Sequence, residues 1–148
     1  MNSTANTKSV RARLEERLAG DYASNGILAC KRDAPLAEVA GLMARNNVHA
    51  IVVVDDRAVE PPIVSDQDLM GAIASGHFDE MTAADIAGTE AVSIPHDEDL
   101  ARAAQLLAEN RVSHLVVRNA RREPVGIVST LDLAEAGSGL MRPPRGRS

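Results

Sequence analysis

Two hydroxyls and a carboxylate, Ser129, Thr130 and Asp132, follow the apolar run Val125-Gly126-Ile127-Val128 and lead into Leu133 and alanines. That order predicts a strand running through a polar turn into a helix. A helix N-terminus favours an anion, and a carboxylate beside it can accept a pair of hydroxyls. The same residue types also make an ordinary helix cap, so Ser129 and Thr130 admit both readings. The stretch occurs twice: Ile63-Val64-Ser65 and Asp68-Leu69 repeat Ile127-Val128-Ser129 and Asp132-Leu133.

The elements that position these residues are duplicated with them. From residue 26 the pattern reads strand (27–30), helix (36–46), strand (50–54), strand (63–65) and helix (67–75). It returns as strand (91–94), helix (100–110), strand (114–117), strand (125–129) and helix (131–136). The copies align without a gap at an offset of 64 positions. This pairs Asp33 with Asp97, Leu36 with Leu100, Asn46 with Asn110, and Val52-Val53 with Val116-Val117. Roughly a third of the aligned positions are identical, which marks internal duplication rather than shared composition. The expected fold is α+β, two β-α-β-β-α repeats related by a pseudo-twofold axis. Residues 1–25 form an extension with a short helix, 26–76 the first repeat, 77–89 a linker, 90–136 the second repeat and 137–148 a disordered basic tail.

Composition removes several classes of function. One Phe, one Tyr and no Trp leave no aromatic platforms for stacking single-stranded nucleic acid. A net charge of −5 repels long polyanions, so nucleic acid is not an expected partner, while a small nucleotide held by a local surface remains compatible. Cys30 stands alone in an apolar run and reads as a small buried hydrophobe, and no segment has the length and apolarity of a signal peptide or membrane span. A cytoplasmic protein is expected. His49, His77, His96 and His114 show no metal-ligand spacing, and there is no phosphate loop or nucleophile–base pair, so neither a metal nor catalysis is expected. Met43 is core filling.

Val10, Leu14 and Leu18 recur every four residues, predicting a helix over residues 8–19 that ends at Gly20 and docks on the domain or a second subunit. Residues 1–7 are expected to be disordered. Arg142, Arg145 and Arg147 in the tail read as solubilising charges.

The doubled unit with its Gly-Ile-Val-Ser-x-x-Asp-Leu junction resembles the tandem cystathionine beta-synthase (CBS) domain pair, over residues 27–136. The second repeat is the better match: Asp85-Ile86-Ala87 leads in, Ala91-Val92-Ser93-Ile94-Pro95 resembles the first strand, and the run from Asn110 to Val117 resembles the helix end and second strand. The resemblance implies a regulatory module rather than an enzyme, binding an adenine nucleotide (AMP, ADP or ATP) or S-adenosylmethionine in a cleft between repeats, with no other cofactor. By that resemblance Asp132 accepts the ribose hydroxyls, Ser129 and Thr130 lie near ribose or phosphate, and His114 faces the phosphates. Ala91, Val92 and Ile94 would flank the adenine. Ser65, Asp68 and the segment 28–30 are the first-copy equivalents, with His49 near the helix–strand turn. The resemblance also implies a flat homodimer formed through the helices, for which Ala101, Ala103, Ala104 and Ala108 offer a close-packing face.

The first copy departs from the pattern. Pro62, preceded by Pro61, replaces Gly126 and restricts its strand to an edge or bulged entry. Asp66 replaces Thr130 and adds negative charge where a phosphate would sit, so the first cleft is expected to be empty or to hold a less charged ligand. The expected function is a stand-alone ligand sensor acting through dimer or partner contacts. The alternative is a dimeric interaction scaffold with degenerate, unoccupied clefts.

Overall fold

The computed structural model describes residues 8–23, 26–56, 60–88 and 91–139. The expectations for residues 1–7 and for Arg142, Arg145 and Arg147 lie outside the described residues. The chain divides into two compact units: residues 27–91 form one, and the residues before 27 join those after 91 in the other.

In the 27–91 unit, β1 (Ala29–Lys31) runs into α3 (Leu36–Asn46), β2 (Ala50–Val54), β3 (Ile63–Ser65) and α4 (Asp66–Ser75). The sheet order is β1-β2-β3, with β1 and β2 parallel and β2 and β3 antiparallel. A parallel neighbour requires a crossover, which α3 supplies. Its buried residues Leu36, Val39 and Met43 recur at helical spacing and pack with Ile51, Val53, Val64, Leu69 and Cys30. Each such side chain contributes about 1.5–3 kcal/mol by leaving water. Burial, with the Glu38 carboxylate nearby, pushes the Cys30 thiol above its ordinary range, which suits packing rather than nucleophilic work.

The other unit repeats this design with β4 (Ser93–Pro95), α6 (Leu100–Asn110), β5 (His114–Arg118), β6 (Pro124–Ser129) and α7 (Thr130–Ser138). Its register is the first one advanced by 64: Ala50 pairs Ser65 and Ile51 pairs Val64, as His114 pairs Ser129 and Leu115 pairs Val128. Strand β3 has three residues where β6 has six, and both lie at a sheet edge. The prolines explain the shortening, because neither Pro61 nor Pro62 can donate to the ladder, although the Pro62 carbonyl still accepts from Val53 at 2.9 Å.

The segments read as extension and linker are structured and reciprocal. Two short helices, α2 (Ala19–Tyr22) and α5 (Ala83–Ile86), occupy equivalent places, each in the unit of the repeat that does not follow it. Ala19 N donates to Glu98 O at 2.8 Å and Gly20 N to His96 O at 2.9 Å, while Ala83 N donates to Ala34 O and Ala84 N to Arg32 O, both at 2.9 Å. Every donor and acceptor is shifted by the same 64 positions. The duplication therefore reaches back to Ala19, where Ala19, Asp21 and Ala23 match Ala83, Asp85 and Ala87.

This exchange overturns the single helix expected over residues 8–19. Helix α1 (Val10–Glu15) stops early, and Leu18 is extended, bridging Asp99 and largely exposed. The Ala19 and Gly20 amides satisfy carbonyls of the β4–α6 turn instead of continuing α1, so tertiary hydrogen bonds override local periodicity. Gly20 is not a helix stop: a Cβ there would lie 3.0 Å from both the Cβ and the carbonyl of His96, so the residue permits close approach.

Helix α1 docks within its own chain. Ser9 Oγ caps it by accepting from Ala12 N at 3.1 Å, and Leu14 is buried in the core that contains Leu100, Leu107 and Leu133. Arg13 Nη1 donates to Gly137 O at 3.0 Å. Gly137, expected to open the disordered tail, lies buried inside α7, which runs to Ser138. Ala101 and Ala104 pack against the same core and Ala103 is fully buried within it, while Ala108 is exposed.

Candidate functional site at the strand–helix junctions

At the start of α7 the expected hydroxyls and carboxylate come together as a reciprocal capping box. Ser129 Oγ accepts from Asp132 N at 3.3 Å, and Asp132 Oδ2 accepts from Ser129 N at 2.8 Å and from Ser129 Oγ at 3.0 Å. The start of α4 reproduces all three distances with Ser65 and Asp68. A cap satisfies donors that a helix start otherwise leaves open, which accounts for a serine followed three residues later by an acid.

The two junctions differ in burial and charge. Asp132 is 2% exposed, whereas Asp68 is half-buried. Thr130 is exposed, and its amide is taken by the Ser113 carbonyl at 3.0 Å; the equivalent Asp66 amide is taken by the His49 carbonyl at the same distance. Asp66 Oδ2 lies 3.0 Å from His49 Nδ1, so its added negative charge has a histidine partner.

His114 opens β5 directly opposite Ser129, half-buried, with its Nδ1 3.0 Å from Ser113 Oγ. His114, Ser129, Thr130 and Asp132 are therefore brought together at one sheet end. His49 is not the counterpart of His114. The 64-residue offset pairs it with Ser113 and pairs Ala50 with His114, so the first copy has no basic side chain at that place. Ser113 is the residue that motif reading missed, and that same offset, applied at His49, points to it.

Of the residues expected to flank a base, Ile94 is 1% exposed and belongs to the core, and so presents little surface to a ligand. Val92 is half-buried and lends its carbonyl to Val116 N at 3.0 Å, while Ala91, the last residue of the 27–91 unit, donates its N–H to Pro61 O of that same unit at 3.3 Å. In the first copy Leu28 is half-buried, Ala29 exposed and Cys30 buried. Among the described residues, no group of three or more His, Cys, Asp or Glu side chains is arranged to hold a metal, and no helix is long and apolar enough to cross a membrane.

A hydroxyl-flanked carboxylate, an exposed threonine and an imidazole at a helix start suit a polyhydroxylated, anionic small molecule. A doubled unit of this topology with such a junction in each copy defines a class, and the comparisons with known proteins agree. The CBS domain family model matches residues 19–75 and 83–139, so the chain belongs to the CBS-domain family, with two copies in tandem. A CBS-domain protein from Pyrobaculum aerophilum, solved in complex with AMP, is 25% identical; the match covers 78% of this chain and 88% of that one at a TM-score of 0.66. The CBS domain pair of the protein MJ0100, solved with 5-methylthioadenosine and S-adenosyl-L-methionine, is 21% identical over 82% of this chain and 96% of that one, with a TM-score of 0.69. The CBS domain of a bacterial CNNM/CorC family Mg2+ transporter, solved with ATP, is 18% identical over 89% and 94%, at 0.70. No curated protein sequence matches the chain.

Proposed function

We propose that the chain is a regulatory CBS-pair module that binds an adenosyl ligand, AMP, ADP, ATP or S-adenosylmethionine, at the β5–β6–α7 junction of its second repeat. It acts in the cytoplasm as a sensor through homodimer or protein-partner contacts, and it carries no catalytic step. The observation that supports this reading is the asymmetry of the two junctions. Thr130 and His114 flank Asp132, whereas Asp66 and Ala50 stand in the corresponding places beside Asp68.

Ligand-free protein titrated calorimetrically with the four ligands tests the proposal. Binding is expected for at least one, with stabilisation of about 2.7 kcal/mol when that ligand is present at 100 times its Kd. Asp132→Asn is expected to weaken binding at least tenfold, about 1.4 kcal/mol, and Asp68→Asn to leave it unchanged. No heat with any of the four overturns the reading.

A second reading has an observation of its own. Both aspartates are engaged in capping boxes of the same geometry, as an interaction scaffold without a ligand requires. Unchanged melting with all four ligands, together with lower stability in both Asp→Asn variants, favours it.

A further inference from the structure

Ser113 is held on both sides. Arg111 caps α6 in the left-handed conformation, Val112 N donates to Leu107 O at 3.1 Å, and Val112 packs on the core, so the chain enters β5 from a set position. The Ser113 carbonyl takes the Thr130 amide, and its hydroxyl lies against His114 Nδ1, each at 3.0 Å. One residue thus ties the start of α7 and the imidazole of β5 to a single point.

The first repeat shows what that side chain decides. His49 stands at the equivalent place, and its carbonyl takes the Asp66 amide at the same 3.0 Å, so the backbone link is unchanged. Its imidazole reaches forward to Asp66 Oδ2 at 3.0 Å, and the residue after it is Ala50. There the side chain occupies the helix start; in the second repeat it turns to the neighbouring imidazole instead.

The hydroxyl also selects where the ring carries its proton. A serine that donates to Nδ1 keeps the proton of a neutral imidazole on Nε2 and makes Nε2 a donor. An ionised phosphate oxygen only accepts, so the opposite tautomer would turn a lone pair on it. The sulfonium of S-adenosylmethionine is a cation and gains nothing from an N–H donor or from the positive end of α7.

We infer that Ser113 is the positioning residue that holds His114 as a donor to the phosphate end of the ligand, and that this junction takes an adenosine phosphate in preference to S-adenosylmethionine. This rests on the ligand site proposed above.

Calorimetric titration of the ligand-free full chain with adenosine, AMP, ATP and S-adenosylmethionine tests it. The wild-type chain is expected to bind AMP or ATP more tightly than adenosine or S-adenosylmethionine. Ser113→Ala keeps the carbonyl that holds Thr130 and removes only the hydroxyl; it is expected to weaken the nucleotide about tenfold more than it weakens adenosine. Ser113→Thr is expected to restore nucleotide affinity to within about threefold. His114→Ala is expected to match Ser113→Ala, and the double variant to lose no more than either, because the two side chains act as one unit. Equal losses for adenosine and nucleotide, losses that add in the double variant, a loss that threonine does not restore, or no loss at all overturns the positioning role and leaves the ligand site standing. Tighter binding of S-adenosylmethionine than of either nucleotide overturns the phosphate preference. No heat with any of the four overturns the site itself, and this inference with it.

Discussion

The first and second repeats share strand register, the eleven-residue length of α3 and α6 and the capping boxes of α4 and α7, yet they differ at the places where something outside the fold would touch them. Leu36 and Leu100 are both fully buried, and Asn46 and Asn110 each donate to the carbonyl four residues earlier at 2.8 Å. Asp66 against Thr130, Ala50 against His114, and Ile73 against Gly137 then separate the copies. Duplication kept which positions are buried rather than what fills them: Cys30 against Ile94 and Val39 against Ala103 differ in volume, and each core packs around its own set. Surface positions are free to diverge, so one copy keeps a permissive helix start and a covered α7 while the other keeps a charged start and an open α4.

The sharpest break of that comparison lies in the core. Leu36→Ala and Leu100→Ala are each expected to cost about 2–5 kcal/mol in urea unfolding. Equal costs confirm two equivalent cores; a clear difference shows that the extra cover of α1 reinforces the second. Next in size is the grafting of one repeat's outer face on the other. Gly137→Ile drives a side chain into Val10 and is expected to cost about 1–3 kcal/mol, with faster hydrogen exchange in α1. Ile73→Ala, on the exposed counterpart, is expected to stay within about 0.5 kcal/mol. Smallest is the pair of left-handed C-caps, Asn47 with φ 52° and Arg111 with φ 54°. Asn tolerates that conformation better than Arg, so Arg111→Gly should gain up to about 1 kcal/mol in thermal unfolding, and Asn47→Gly less.

Much of this was legible in the sequence. The 64-residue offset exposed the duplication, and helical spacing placed Leu36, Val39 and Met43 together on the buried face of α3. The Ser-x-x-Asp spacing announced both helix starts. Pro61-Pro62 foretold an edge or bulged entry, and β3 lies at the sheet edge. The expectation for Leu18 and Gly20 failed because a four-residue apolar period cannot reveal that the next two amides bond to carbonyls almost eighty residues away. Gly137 was misread for a similar reason: a glycine beside a serine reads as a tail until Val10 and Arg13 are seen resting on it.

At the Ser129-Thr130-Asp132 junction the division is clearest. Sequence by itself determined that a strand meets a helix there, that the meeting is duplicated, and that Thr130 and Asp66 differ, because periodicity, cap spacing and charge are local properties. Only the tertiary structure decided that Asp132 is buried while Asp68 is partly open, that His114 stands opposite Ser129, and that His49 pairs with Asp66. Burial and cross-strand pairing depend on residues distant in the chain, and no local pattern encodes which of them arrive.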